Sequence, residues 1–195
     1  MPIRKILILI ILTMILCGLQ AQDNYFILVE PPNKLIDTGI FKNFRQFDLG
    51  DIDFYNGRKE NILKYFIKDK SNGNILYQRP EELSDAMILK PKFFYNNNTK
   101  TYILLIEEAA EYSWGQEVLK IDNNNAVIFI GYLDYAVDKG NGESISDYAK
   151  IYYEKGNIIL AFDEVPLIYY PDESIIINGK DIMFELNSNG IKIIE

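Results

Sequence analysis

The sequence predicts an all-β protein: an antiparallel meander that forms a sandwich or a partly closed barrel, with one or two short helical turns. Three observations predict it. Beyond the first 21 residues the chain is dense in Ile, Val, Phe and Tyr and poor in Leu- and Ala-rich helical patterns. Its apolar runs are short. Asn and Gly fall between paired runs, where they accept positive φ at little cost and so suit tight hairpins.

The chain of 195 residues begins "MPIRKILILIILTMILCGLQAQD". Arg4 and Lys5 precede an apolar run from Ile6 to Leu16, broken only by Thr13, and Gly18 to Ala21 form a small-residue exit. A run this short falls well below the roughly 20 residues that span a bilayer. The order of charge, apolar run and small exit describes a secretory signal over residues 1–21, leaving residues 22–195 as one β-rich domain. The Ala-Gln exit resembles that of exported proteins of the Bacteroidota; the likeness covers the signal alone and implies no function. The expected location is periplasmic or extracellular. An alternative is a lipid anchor on Cys17, the only cysteine, although Leu16 stands where a lipobox prefers a small residue.

Further along, "NKLIDTGIFKNFRQF" (33–47) reads as a short helix or a loop wrapping the sheet. "RPEELSDAMIL" (79–89) places Pro80 at a first helical position followed by Glu81 and Glu82, which predicts one or two helical turns. Six hairpins are expected, around "KSNG", "NNNTK", "DNNN", "EKG", "NGK" and "NSNG". In "YAKIYYEK", Ala149, Ile151 and Tyr153 share one face and Lys150, Tyr152 and Glu154 the other, as in a half-buried strand. "TYILLI" (101–106) and "AVIFI" (126–130) are apolar on both faces and read as central strands covered on both sides.

Composition excludes much chemistry. The formal net charge is −8, and it becomes −10 once residues 1–21, with two cations and no acid, are removed. Such a surface repels phosphate backbones, so no nucleic acid is expected as partner. There is no histidine, and the chain beyond the signal has no cysteine. Triads with a His base, thiol nucleophiles, thiolate metal sites and disulfides are therefore out of reach. No phosphate-cradling glycine loop is present.

Carboxylates remain. "IEEAAEYSWGQE" gathers Glu107, Glu108, Glu111 and Glu117 beside Tyr112 and Trp114. An indole offers a platform for a sugar face and an acid a partner for its hydroxyls, so Trp114, Tyr112, Glu111 and Glu107 are candidate ligand-binding residues. The plainer reading is a strand whose Trp enters the core. Strict alternation puts Tyr112, Trp114, Gln116 and Val118 on one face and Glu117 with Leu119 on the other, unless Gly115 marks a bulge. Glu117 is expected at an edge or in solvent. A glycoside hydrolase would need two acids facing one cleft, and Glu111 with Glu107 or Glu108 is the pair on offer.

Tyr169 and Tyr170, before Pro171, either cover a core end or join a contact patch. Asp51 and Asp53 share a strand face and read first as a solvated face of an acidic protein, with a calcium ion as the alternative. No other cofactor is expected. The loop 134–147, with Asp138, Asn141, Glu143 and Asp147, reads as an exposed connection or a cation loop. The functional expectation is a non-enzymatic exported module that binds a protein or a glycan. The alternatives are the carboxylate-dependent hydrolase and a structural component of the envelope.

Overall fold

The computed structural model describes residues 24–36, 41–59, 62–79, 88–110, 113–137 and 143–194. Among them, the strands run in the order β1 (Tyr25–Val29), β2 (Asn33–Ile36), β3 (Phe41–Asp48), β4 (Ile52–Lys59), β5 (Ile62–Asp69), β6 (Ile75–Gln78), β7 (Ile88–Asn96), β8 (Thr101–Ala109) and β9 (Ser113–Ile121), then β10 (Val127–Leu133), β11 (Tyr135–Val137), β12 (Ala149–Glu154), β13 (Asn157–Phe162), β14 (Pro166–Tyr169), β15 (Ile176–Asn178), β16 (Met183–Asn187) and β17 (Gly190–Ile194). Every pairing is antiparallel.

Nine strands form one sheet in the order β10-β9-β8-β7-β1-β12-β13-β16-β17. The sheet curls until its two end strands meet, with Ile191 of β17 lying against Gly131 of β10. It is a nearly closed barrel. Curling is what a long antiparallel sheet must do to hide its edges. The barrel is filled by inward residues of its staves, among them Phe26, Phe94, Ile103, Leu105, Ile151 and Leu160. A small sheet, β11-β14-β15, adds Tyr135 and Leu167 to the same core.

A third sheet, β2-β3-β4-β5-β6, lies on the outside of the barrel over β7, β8 and β9. Side-chain alternation explains how one strand serves two cores. In β8, Ile103 and Leu105 point into the barrel, while Leu104 and Ile106 point out to Phe54, Tyr65 and Ile67 of the overlying sheet. All four β8 residues are 0 % exposed. The expected double coverage of 101–106 is therefore observed. The alternation in 149–154 also holds: Ile151 is inside, with Ala149 and Tyr153 packed against the barrel core.

Several expectations are corrected. Five of the six hairpins form. The sixth, at "NGK", does not, because β15 pairs with β14 and β16 with β13, and Gly179–Asp181 between them makes a 3-10 turn. Within the 33–47 stretch, 33–36 and 41–47 are strand rather than helix or loop: they belong to β2 and β3, which pair at the edge of their sheet, and the well-exposed Leu35 blurs the apolar period. The helix expected over 79–89 falls mostly on residues outside those described, and Ile88 and Leu89 already belong to β7. The second 3-10 turn is Ile145–Asp147, closed by a capping box between Ser144 and Asp147. The 126–130 stretch is an end strand of the barrel sheet, and Phe129 is exposed. The meander is also interrupted, since β1 inserts between β7 and β12.

Gly115 decides where the chemistry of β9 lands. Its φ is +144°, and a β-carbon there would sit 2.5 Å from the carbonyl oxygen of Leu133. The register slips at this point, with Glu108 opposite Gly115 and Ala109 opposite Ser113. Trp114 is the extra residue of a bulge. Gly115→Ala is expected to destabilise the fold by about 1–3 kcal/mol through backbone strain, read by urea denaturation.

Candidate functional site

The seam between the barrel and the overlying sheet holds a fully buried set of charges. Four elements supply it: Tyr65 from β5, Arg79 just past β6, Glu108 from β8 and Glu117 from β9. The backbone N–H of Arg79 donates to the Tyr65 carbonyl at 3.2 Å, which fixes the arginine at the sheet edge. Its Nε donates to Glu117 Oε1 at 2.7 Å and its Nη2 to Glu108 Oε1. The Tyr65 hydroxyl donates to Glu117 Oε2. Exposure is 3 % at Arg79, 1 % at Glu108, 4 % at Glu117 and 0 % at Tyr65, so water plays little part in balancing these charges.

Two carboxylates face one guanidinium. Burial pushes the Glu108 carboxyl up to about 7, and a hydrogen bond with Glu117 adds to the rise while Arg79 opposes it. Burial and the nearby Glu117 charge push the Tyr65 hydroxyl far up, so Tyr65 stays a donor. Tyr132 is driven up in the same way, by burial and then by Glu108. Arg79 is the cation both acids meet, and Glu108 holds its proton more tightly in the fold than in the unfolded chain.

Where the seam opens, it forms a cleft of about 450 Å³. Arg45 pairs with Asn56 across β3 and β4, and Arg58 pairs with Leu63 across β4 and β5. Cross-strand partners share a face, so Arg45, Asn56, Arg58 and Leu63 line the wall that continues from Phe54 and Tyr65. Leu89 and Pro91 of β7 form the opposite wall. Asn56 spans the gap, its Nδ2 donating to the Leu89 carbonyl at 2.8 Å. Its Oδ1 is buried and has no hydrogen-bond partner among the described residues. Gly57 keeps this wall thin, since a β-carbon there would lie 2.6 Å from the Cα of Phe44.

The candidate residues drawn from sequence are scattered by the fold. Tyr112 and Glu111 lie outside the described residues, as does Cys17. Trp114 is half-buried against the seam core. The bulge turns it to the same side as Glu117, which corrects the strict alternation expected from sequence. Trp114→Ala is expected to cost about 2 kcal/mol in a denaturant titration, below the figure for a fully buried indole.

Glu107 and Glu108 are both buried but point to opposite faces of β8, so they do not converge. Glu107 faces the barrel side with Gln116, its cross-strand partner, and its Oε2 lies 3.5 Å from Lys90 Nζ. Gln116 donates to the Ser144 hydroxyl at 3.3 Å. Tyr169 packs on Tyr135, ring centroids 5.1 Å apart, at the barrel core, and the Tyr170 N–H donates to the Asp134 carbonyl at 2.9 Å. Asp51 is exposed on the turn before β4. Asp53 is buried, takes a hydrogen bond from the Tyr55 hydroxyl at 3.3 Å and lies 3.5 Å from Lys70 Nζ, so Lys70 already meets its charge. Among the described residues, no group of three Asp, Glu, His or Cys side chains is placed to hold a metal ion. In the 134–147 loop, Glu143 accepts from the Tyr148 hydroxyl and Asp147 pairs with Lys92 at 2.9 Å.

Sequence reasoning missed Arg79 and placed Glu117 at an edge or in solvent, whereas it is buried. A signal was available for the acids. Glu117 alternates with Leu119 and Ile121, and Glu108 with Ile106 and Leu104, so each occupies a core position of a double-covered strand. Two acids at core positions of neighbouring strands call for a buried cation or a retained proton. Nothing local in "YQRP" marks Arg79 as that cation.

The geometry defines a barrel with a second β-layer on its flank, a saturated charge cluster inside the seam and an open basic cleft at its mouth. No family model, curated protein or solved structure matches this chain.

Proposed function

We propose that this protein is an exported, non-enzymatic binding module for a protein or glycan partner in the envelope or outside the cell. The observation that carries the reading is the cleft: two arginines beside an apolar floor, in a chain of net charge −8. Cations gathered at one concave place on an acidic protein are suited to recognition, and a volume of this order lies within the usual range for ligand sites. The signal-like N-terminus supports export.

The carboxylates favour binding over hydrolysis. Glu108 and Glu117 are the pair that the fold brings together, and they are close enough to share a hydrogen bond. Glycosidase pairs stand about 5 Å or more apart, to admit the anomeric carbon or a water. Here both acids are bound by Arg79, and Glu117 by Tyr65 as well.

Affinity capture with the mature chain from envelope and secreted fractions, run beside a glycan array, tests the reading. One stoichiometric protein partner or one glycan class is expected. A blank in both would overturn it.

A further inference from the structure

We infer that the open end of the barrel is a site for a single-chain amphiphilic anion, its charge met by Lys120 and its alkyl chain seated in the apolar ring below. The inference goes beyond the binding-module reading and does not use the cleft.

The two ends of the barrel differ. One end is closed: the 3-10 turn Ile145–Asp147 leads into β12 there and puts Ile145 into the core, while β11 and β14, which follow β10 and β13, add Tyr135 and Leu167. At the other end the staves finish in the hairpin tips 97–100, 122–126, 155–156 and 188–189. A cavity of about 190 Å³ opens there, ringed by Lys120, Ile128, Ile130, Tyr153, Ile158 and Leu186. Ile130, Ile158 and Leu186 are buried and belong to the barrel core. Ile128 and Tyr153 are partly exposed and form the entrance.

Lys120 is an inward residue. It alternates with Val118 of the barrel core, and its cross-strand partners are Ile103 and Ile128. Its aliphatic stem covers apolar surface while the half-buried side chain keeps its ammonium at the water boundary. Among the described residues it forms no ion pair. Glu185, beside Leu186 on β16, stands on the outer face, and its two oxygens accept from Asn157 at 3.2 Å and Asn187 at 3.0 Å. Ser188 lines the same entrance and offers a hydroxyl.

A free cation over an apolar cavity, in a chain of net charge −8, fits an anion that brings its own apolar body. An ammonium is a point charge and sets no head-group geometry, so the class is defined by one negative charge and one chain. The volume lies below that of drug-sized sites and admits a short chain, not a two-chain lipid.

Calorimetric titration of the mature chain with octanoate, octanol and octylamine, together with methyl NMR of its isoleucines, tests this. Octanoate is expected to bind one to one, more weakly as salt rises, and to shift the methyls of Ile128, Ile130 and Ile158. Its affinity should exceed that of octanol about tenfold and fall about tenfold in K120M. Methionine keeps most of the stem, so K120M keeps the fold, checked by circular dichroism. I128W, which fills the entrance, should abolish binding and provides the second reading.

Equal binding of octanol or octylamine, affinity unchanged in both variants, methyl shifts away from this end, or no binding of octanoate would overturn the inference. If affinity capture or the array finds a partner while octanoate does not bind, this inference falls and the binding-module reading stands. If octanoate binds as described while capture and array are blank, the binding-module reading falls alone.

Discussion

Replacing Arg79 with methionine is expected to destabilise the fold by about 3–5 kcal/mol, seen as a large drop in the urea midpoint. Methionine keeps much of the aliphatic volume and removes the charge. Glu108 and Glu117 would then face each other inside the seam with no counter-charge, and Glu117 would keep only the Tyr65 hydroxyl. A buried pair is most damaging when one side is removed, because the desolvation of the survivor is no longer offset. The loss is specific to the imbalance. Adding E108Q and E117Q to the Arg79 variant should recover part of it, since neutral amides cost less to bury than unpaired charges. An equal loss in the triple variant would mean that packing, not charge, governs the seam.

The second large effect is on pH. Glu108 has its carboxyl raised to about 7 in the fold, above its ordinary value of 4.5, so the folded chain holds this proton more tightly than the unfolded one. Its contribution is therefore full below pH 4.5, declines as pH rises, and is gone once pH passes about 7. The upper bound on the change is about 3 kcal/mol. Burial raises Asp134 as well, and its contribution has the same sign. Exposed acids work in the opposite sense at lower pH. The hydrogen bond from Lys70 holds Asp48 below its ordinary range, and its contribution is lost on acidification. The stability maximum is expected near pH 4.5–5, falling toward pH 8.

Much of the fold was legible in the sequence because it is written in local signals. Asn and Gly between apolar runs favour hairpins locally, and five of the six expected ones formed. The run 101–106 was apolar on both faces because β8 is covered by a barrel core on one side and the flanking sheet on the other.

What failed was long-range. The "NGK" turn looks like a hairpin locally, yet its flanking strands find partners in β14 and β13 instead. The strand pair at 33–47 was hidden because β2 lies at a sheet edge with little burial to impose a period.

The candidate site was less legible, for a similar reason. Alternation in β8 and β9 marks Glu108 and Glu117 as core residues, but Arg79 reaches them from 29 and 38 positions away. The bulge at Gly115 reversed the side on which Trp114 stands relative to Glu117. The cleft arises from the register of β3, β4 and β5 against β7, and no single segment carries it.

The buried charges of the seam tie the two β-layers together, and Glu108 holds its proton there more tightly than in the unfolded chain. Chemical denaturation at steps from pH 4.5 to 8, in the wild type and in E108Q, tests it most directly. The wild type should lose stability across that interval and E108Q should give a nearly flat profile, because glutamine imitates the protonated acid. An E108Q profile as steep as the wild type, or a wild type that gains stability toward pH 8, would contradict the account.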